Sequence, residues 1–397
     1  MRAIFTIACY ETLLILKDRT LRLMLFVVPL LYAVVFGFVY MQGVLSQVPL
    51  AIVDLDHSAV SREVRTSFEN SPYFRLVPGI ESPDQLEKAM REGKVRAGIV
   101  IPEQFALNIQ RHRPTELLGV YDASNLIWGY NTRRYMREVA TDFNTQQTAA
   151  YLAGLGISKN QIQGIMNTVN LNYEVWYNPT FSYATYFYPG LLLMVIHQIS
   201  LLSVSLTVTR EKERNTWVQY LSSFLPSWKI FLGKALPYFI VNFFNYALLL
   251  WIASYFVNAR LEGSVGLIVL FGLLFDIIIT SLGFLISVHA PNSLQVTRYL
   301  MLISVPIFMA SGFSWPQSHI PRAVNALSSL LPFPWMAEAF RMITVKNLPL
   351  AYVLKHLLVL LAMAGGSLGL AMTFKKKRRP PSSRGVAVNS SHSYPGL

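Results

Sequence analysis

The chain has 397 residues, 53% of them hydrophobic and 14% charged. A soluble domain carries about 25% charged residues, so this composition argues against a soluble enzyme and for a polytopic membrane protein. The net charge of +13 would suit a nucleic-acid partner only if it gathered on one folded surface. The single cysteine, Cys9, rules out an intrachain disulfide framework.

In chain order, residues 1–22 read as an amphipathic elbow. The apolar run "LMLFVVPLLYAVVFGFVYMQGVL" follows at 23–45. It is longer than the apolar part of a signal peptide, and no small-x-small cleavage site comes after it, so it is expected to remain as span 1. Five more runs approach the length of about 20 residues that a bilayer core requires: 183–209, 235–257, 265–288, 294–313 and 353–374. Pro29, Pro189, Pro237 and Pro306 lie in or near these runs. Transmembrane helices tolerate them because neighbours re-satisfy the freed carbonyls.

Six spans place residues 1–22, 210–234, the turn around Arg298 and the tail 375–397 on one side. These segments hold about +12 of the +13 net charge, which marks that side as cytoplasmic. The basic excess is thus a topology signal with possible contact to anionic lipids, and nucleic acid is not expected as a partner. The tail, with "KKKRR" and then "PPSSRGVAVNSSHSYPGL", reads as disordered.

The opposite side holds residues 46–180. "VPLAIVDLD" reads as a strand and "HSAVSREVRTSFENS" as a helix with Val60, Val64 and Phe68 on one face. Then come a strand in "YFRLVPG", a helix in "SPDQLEKAMREG" capped by Ser82, a strand in "VRAGIVIP", a helix in "EQFALNIQRH" and a strand in "TELLGVYDAS". The alternation predicts an inserted extracytoplasmic α/β domain with a mixed sheet. A helical arm follows, at about 126–153 and 159–169, and "LNYEVWYNP" reads as a returning strand. "DLDH", Asp54 to His57, has carboxylates and a histidine that would suit a metal. It also reads as a strand-end turn with helix-capping acids. No HExxH, cysteine cluster or nucleophile elbow accompanies it, so no catalytic residue and no metal site is assigned.

The stretch "TREKERNTWVQYLSSFLPSWKIFLGKALPY" at 209–238 leaves an apolar run through five consecutive charges. Read locally, Arg210, Glu211, Glu213 and Arg214 form a self-paired, solvated helix face. An amphipathic segment with Trp217, Tyr220, Leu221, Leu225 and Trp228 then runs along the surface. Pro226 breaks it and Ser227 caps a second short helix before the next span.

This stretch resembles the cytoplasmic loop of ABC-2-type ABC transporter permeases, with Asn215 where that pattern usually has glycine. "YEVWYNPTFSYATYFYPGLL", "SGFSWPQSHIPRAVNALSSLLPFPWMAEAFRMI" and "LLILKDRTLRLMLFVVPLLYAVVFGFVY" resemble, in order, the same family's entry into span 2, its re-entrant helices and its elbow with span 1. The likeness covers essentially the whole chain and is greatest to the multidrug-export-like permeases with a large periplasmic domain. It implies six transmembrane helices, a coupling loop at 210–234, an outer re-entrant loop at 314–352 and an inner-membrane location with both termini cytoplasmic. It also implies a second permease chain, in a homo- or heterodimer, and an ABC ATPase subunit carrying ATP and Mg. A periplasmic adaptor is a further implied partner. No GxxxxGK[ST] occurs in the chain, and "LGKA" at 232–235 lacks the upstream glycine and the hydroxyl, so the motor is expected on a separate subunit. Glu211, Glu213, Arg214, Trp217, Leu221 and Trp228 are the expected ATPase-docking and coupling residues.

Ionisable groups inside spans are functional candidates. Asp276 in "GLLFDIIITSLG" is the only acid near the middle of a span; it can meet a cationic substrate or bond to Thr280. His197 and Asn245 join it as substrate-path candidates, Asn242 and Asn245 also being suited to holding helices together. Tyr183, Tyr186, Phe187 and Tyr188 suit an interfacial belt. Glu338 and Arg341, three apart, are a candidate gate pair. Export of hydrophobic or amphiphilic compounds is the favoured function. Export of a lipid-linked glycan or polymer, and a non-transporting membrane sensor or scaffold, are the alternatives.

Overall fold

The computed structural model describes residues 1–40, 46–111, 113–166, 175–179, 181–259 and 261–374. They are mostly helical and form two compact units, one from Met1–Met41 with Ser182–Leu397 and one from Gln42–Phe181. The basic tail at 375–397 lies outside the described residues.

Helix α1 (Arg2–Lys17) is amphipathic, burying Ile7, Glu11 and Ile15 at a spacing of four while Phe5, Leu13 and Leu16 stay exposed. An acid in a buried stripe needs a partner, and the candidate site supplies it. The helix stops at Asp18. Its carboxylate accepts the N–H groups of Thr20 and Leu21 at 3.0 and 3.1 Å, starting α2 (Arg19–Arg22). A π-helical turn, Leu23–Val27, leads into α3 (Val28–Tyr40). Pro29 has no N–H for the Leu25 carbonyl. Asn245 donates to that carbonyl instead, from Nδ2 at 2.7 Å, the kind of repair that lets proline sit in a membrane helix.

The second unit holds β1 (Val48–Asp54), α4 (Ala59–Glu69), β2 (Phe74–Leu76), α5 (Pro83–Arg91), β3 (Ala97–Ile101), α6 (Phe105–Gln110), β4 (Leu118–Tyr121), α7 (Leu126–Gly154) and α8 (Lys159–Met166). The strands form one sheet in the order β2-β1-β3-β4, with β1 parallel to β2 and β3, and β4 antiparallel to β3. Strand alternation sends Leu50 and Ile52 to one face, against Val64, Phe68, Phe105 and Tyr135, and Ala51 and Val53 to the other, against Leu86 and Ala89. Covered on both faces, β1 and β3 are apolar almost throughout. Ser58 and Ser82 cap α4 and α5.

The "DLDH" turn is used structurally. Asp54 accepts the N–H groups of Asp56 and His57 and the Ser61 hydroxyl, and Asp56 accepts the Ala106 N–H. Tyr73 stacks on Tyr135 at 4.2 Å and donates to Glu138 at 2.7 Å, a bond that, with burial, pushes its phenol up to about 12. The expected strand at 171–179 does not form over residues 175–178, and residues 171–174 lie outside the described residues.

The first unit continues with α9 (Tyr183–Glu213), α10 (Trp217–Ser222), α11 (Ser227–Tyr255), α12 (Val265–His289), α13 (Ser293–Met309), α14 (Arg322–Ser328), α15 (Pro332–Thr344) and α16 (Leu350–Met372). Five stretches among the described residues are long and apolar enough to cross a membrane: Arg19–Tyr40, α9, α11, α12 and α16. The expected fifth span, 294–313, corresponds to α13, which has 17 residues and falls below that length.

Helix α9, with 31 residues, is about 46 Å long at about 1.5 Å per residue, well beyond a bilayer core of about 30 Å. Its apolar part is 83% buried, against 22% for Arg19–Tyr40 and 28% for α16, so α9 is the central post and the others show apolar faces outward. Tyr188 ties it to α3, donating to the Ala33 carbonyl at 2.9 Å. Helix α15 is packed into the same core through Phe333, Met336, Ala337, Phe340 and Ile343.

One expectation fails at the start of α11. No separate short helix follows Pro226, and Ser227 is not a cap. A single helix of 29 residues begins at Ser227, and the Ser227 hydroxyl donates instead to the Phe374 carbonyl at 3.0 Å.

Candidate functional site

The end of α9 carries the charges that stood out in the sequence. They do not form a solvated, self-paired face: Arg210, Glu211, Lys212 and Glu213, four consecutive residues, reach four other elements. A helix turns about 100° per residue, so consecutive side chains point to different neighbours, and here each neighbour offers a matching group.

Arg210 pairs with Asp18, the cap between α1 and α2, and Arg214 approaches the same carboxylate at 3.7 Å. Glu211, almost fully buried, accepts from Lys234 Nζ on α11 at 3.1 Å and from the Thr216 hydroxyl. Lys234 is fully buried and also donates to Glu11 of α1 at 2.8 Å. Glu11 accepts in addition from the hydroxyls of Thr207 at 2.6 Å and Tyr238 at 3.1 Å. The carboxylates of Glu11, Asp18 and Glu211 thus face the cations of Arg210, Arg214 and Lys234, so the cluster is neutral. Charges this deep are tolerated only when paired and hydrogen-bonded.

Lys234 also lies 4.7 Å from the centre of the Tyr220 ring. Burial holds the Tyr220 phenol above its usual value, against the opposing pull of the Lys234 ammonium. Close approach is built in at Gly233, where an added Cβ would stand 2.7 Å from Ile7 of α1.

Lys212 turns the other way. Its ammonium donates to the carbonyls of Ser287, Val288 and Ala290 at 3.0, 2.5 and 2.8 Å, a cation on the carbonyl end of α12. Glu213 accepts the Ser293 N–H at 2.7 Å, an anion at the N-terminus of α13. The Ser287 hydroxyl accepts from the N–H groups of Val208 and Thr209. The α12–α13 turn is therefore clamped to the end of α9.

Helix α9 ends through Asn215, whose φ is +58°. The left-handed region favours glycine, with asparagine the next best choice, which accounts for the residue at this place. The Thr216 N–H then closes on the Glu211 carbonyl at 2.9 Å.

Of the expected docking residues, Glu211 and Glu213 are engaged inside the chain, and Trp217 is buried against Tyr220 and Phe374. Leu221 is half-buried on the same core. Arg214 and Trp228 remain accessible, and beside them Phe224 is fully exposed and Val218 largely so. Phe224 and Val218 were missed in the sequence, although an aromatic two residues before a proline, in the turn between two helices, is a usable signal.

The substrate-path and gate candidates divide. Asn245 is used on the Leu25 carbonyl. His197 is buried between the rings of Phe275 and Phe333, 5.9 and 5.0 Å away, and its Nδ1 has no partner. Asp276 receives a single long contact, from Thr280 at 3.4 Å, and its Oδ2 has none. Tyr186 donates to the Phe313 carbonyl and Tyr183 stacks on Phe187. Glu338 takes a partner on α16, His356 Nε2 at 3.1 Å, while Arg341 donates to the Gly312 carbonyl at 2.8 Å and lies over the Phe313 ring. The two gate candidates thus tie α15 to different neighbours.

Long apolar helices gathered at one end by a neutral buried charge cluster, with an accessible apolar tip between two of them, define a multi-pass membrane protein. The chain belongs to the ABC-2 transporter family: the model described as "ABC-2 family transporter protein" matches residues 19–373. It is 24% identical over 376 residues to the probable multidrug ABC transporter permease YbhR of Escherichia coli K12, covering 94% of this chain and 98% of that one. It is 23% identical over 391 residues to the probable multidrug ABC transporter permease YbhS of the same strain, covering 95% and 97%. It is 22% identical over 377 residues to the E. coli inner membrane transport permease YhhJ, covering 94% and 96%. The chain is thus a membrane subunit of an ABC transporter, and its family implies association with an ABC ATPase subunit.

Proposed function

We propose that this chain is the permease half of an exporter that moves hydrophobic or amphiphilic, drug-like compounds out of the cytoplasm or inner membrane. ATP and Mg are bound and hydrolysed on the separate ATPase subunit, and two permease chains, identical or not, pair to form the path. In this reading α13 is the fifth of six spans, both termini are cytoplasmic, and α14 and α15 re-enter from the outer side. Residues 46–180 stand outside, where a periplasmic adaptor can meet them.

The observation that carries the reading is the tip of the α9–α11 elbow. Val218, Phe224 and Trp228 expose apolar surface in the stretch that follows the accessible Arg214, on a segment anchored by Trp217 against Phe374, Tyr220 against Lys234 and the Ser227 hydroxyl on the Phe374 carbonyl. A small, rigidly backed apolar patch with a charged edge is the kind of surface a soluble partner buries. The relatives named as multidrug permeases support the substrate class.

The test is to purify the full chain from its host membrane in mild detergent and identify what accompanies it. A P-loop ATPase in equal amount, lost in Phe224→Asp with the permease still monodisperse, supports the reading. A well-folded wild-type chain without any ATPase overturns it.

A further inference from the structure

Between α9, α11 and α12 lies a second polar feature, away from the charge cluster. A small cavity of about 10 Å³ is lined by Ser200, Asn242, Tyr246, Phe275 and Asp276 among others. That volume admits one water-sized group. Asn242 is 1% and Asp276 6% exposed. Neither side-chain atom of Asn242 has a hydrogen-bond partner within the chain, and neither has Asp276 Oδ2. Three unpartnered polar atoms therefore belong to two buried side chains of one cavity, in a protein whose other buried acids, Glu11 and Glu211, are each bonded at both oxygens.

The unpartnered atoms are one donor, Asn242 Nδ2, and two acceptors, Asn242 Oδ1 and Asp276 Oδ2, and of these only the acid carries a charge. None of the residues lining the cavity is basic. The ammonium of Lys234 is committed to Glu11 and Glu211, and the His197 ring lies between Phe275 and Phe333. A buried carboxylate without a counter-charge is costly in a membrane helix, and what this one lacks is a compact positive donor. A primary ammonium head is about the size of a water and carries three N–H donors. The Asp276 carboxylate and the Asn242 amide oxygen are acceptors, and the rings of Tyr246 and Phe275 add faces that attract a cation.

We propose that Asp276 and Asn242 form the recognition site for the primary ammonium head of a cationic amphiphile, whose tail lies among the apolar helices. This rests on the export reading and names its substrate class. The cavity's size sets a second condition: a quaternary ammonium, with three methyl groups on the nitrogen, does not fit.

The experiment uses the full-length chain, purified in a nonionic detergent, with octylamine, octanol and octyltrimethylammonium as probes and thermal stabilisation as the readout. Octylamine should half-saturate at a concentration about tenfold lower than octanol, and octyltrimethylammonium should not share that gain. Asp276→Asn should erase the difference between amine and alcohol, and Asn242→Leu should reduce it without removing the charge. Equal action of amine and alcohol on the wild type, an undiminished amine preference in Asp276→Asn, or equal action of octyltrimethylammonium and octylamine would each overturn the proposal. If Asp276→Asn does not accumulate, Asn242→Leu carries the same test. The two readings fail separately: loss of ATPase copurification removes the exporter, while a wild-type amine response in Asp276→Asn removes only the ammonium site.

Discussion

Two sets of buried acids in the membrane unit have opposite surroundings. Glu11 and Glu211, at the α9 end, share Lys234 and receive hydroxyls from Thr207, Thr216 and Tyr238. Asp276, at mid-helix, has one long contact to Thr280 and a bare second oxygen. The same residue chemistry serves two ends. Where every lone pair is matched, the acids fasten α1, α9 and α11 into one block. Where they are left unmatched, the acid fastens nothing beyond the long contact to Thr280, and it is this acid that the proposed site offers to a ligand. Completeness of pairing, more than burial, is what sets Asp276 apart from Glu11 and Glu211.

The comparison breaks most visibly at Lys234. Removing one partner of a buried ion pair costs about 3–5 kcal/mol because the other charge stays buried, and here two carboxylates would be stranded. Lys234→Met should therefore give the largest loss of thermal stability of any single change at the elbow, measured on the full chain in detergent. Adding Glu211→Gln should recover part of it. A Lys234→Met chain that melts with the wild type would mean that the cluster is hydrated and loosely held.

The next effect lies at the α12–α13 turn. Lys212→Ala takes the ammonium from three carbonyls, and a hydrogen bond to a charged group contributes about 1.5–3 kcal/mol. Protection of the Ser293 amide and its neighbours from hydrogen exchange should fall in this variant, while α1 stays protected. Uniform loss of protection in both places would show that the clamp and the charge cluster are one unit rather than two. A smaller effect is expected at Asn215. A β-branched residue in the left-handed region costs about 1–2 kcal/mol, so Asn215→Val should melt lower, whereas Asn215→Gly should equal or exceed the wild type.

Much of this architecture was legible in the sequence because it rests on local patterns. Strand alternation and capping serines placed the elements of the sheet unit, and apolar runs placed the long helices. The charge cluster was legible only in part. Arg210 to Arg214 were conspicuous, but their partners lie far away in sequence: Glu11, Asp18 and Lys234, and the carbonyls after Ser287. Reading i,i+3 and i,i+4 pairs finds self-pairing by construction. The one available clue was Glu11 itself, an acid between Ile7 and Ile15 on a buried stripe. The strand that does not form over residues 175–178 and the failed Ser227 cap have a different cause. The return of the chain from the sheet unit toward span 2 suggested the first, and proline at 226 suggested a break where it instead precedes the first turn of α11, a position that needs no N–H.

The smallest effect is expected at Asp276, and it sharpens the comparison most. If the carboxyl has no partner inside the chain, replacing it removes nothing that holds the fold together beyond the 3.4 Å contact to Thr280. Asp276→Asn should therefore keep stability within about 1 kcal/mol of wild type, and Asp276→Leu should be neutral or stabilising, as when buried charges yield to apolar residues of similar volume. Lys234→Met and Asp276→Leu both remove one buried charge from neighbouring helices of the same unit, so measured side by side they weigh matched against unmatched burial directly. A loss at Asp276 as large as that at Lys234 would mean that a partner within the folded protein already satisfies the acid, and the mid-helix site would then belong with the structural charges.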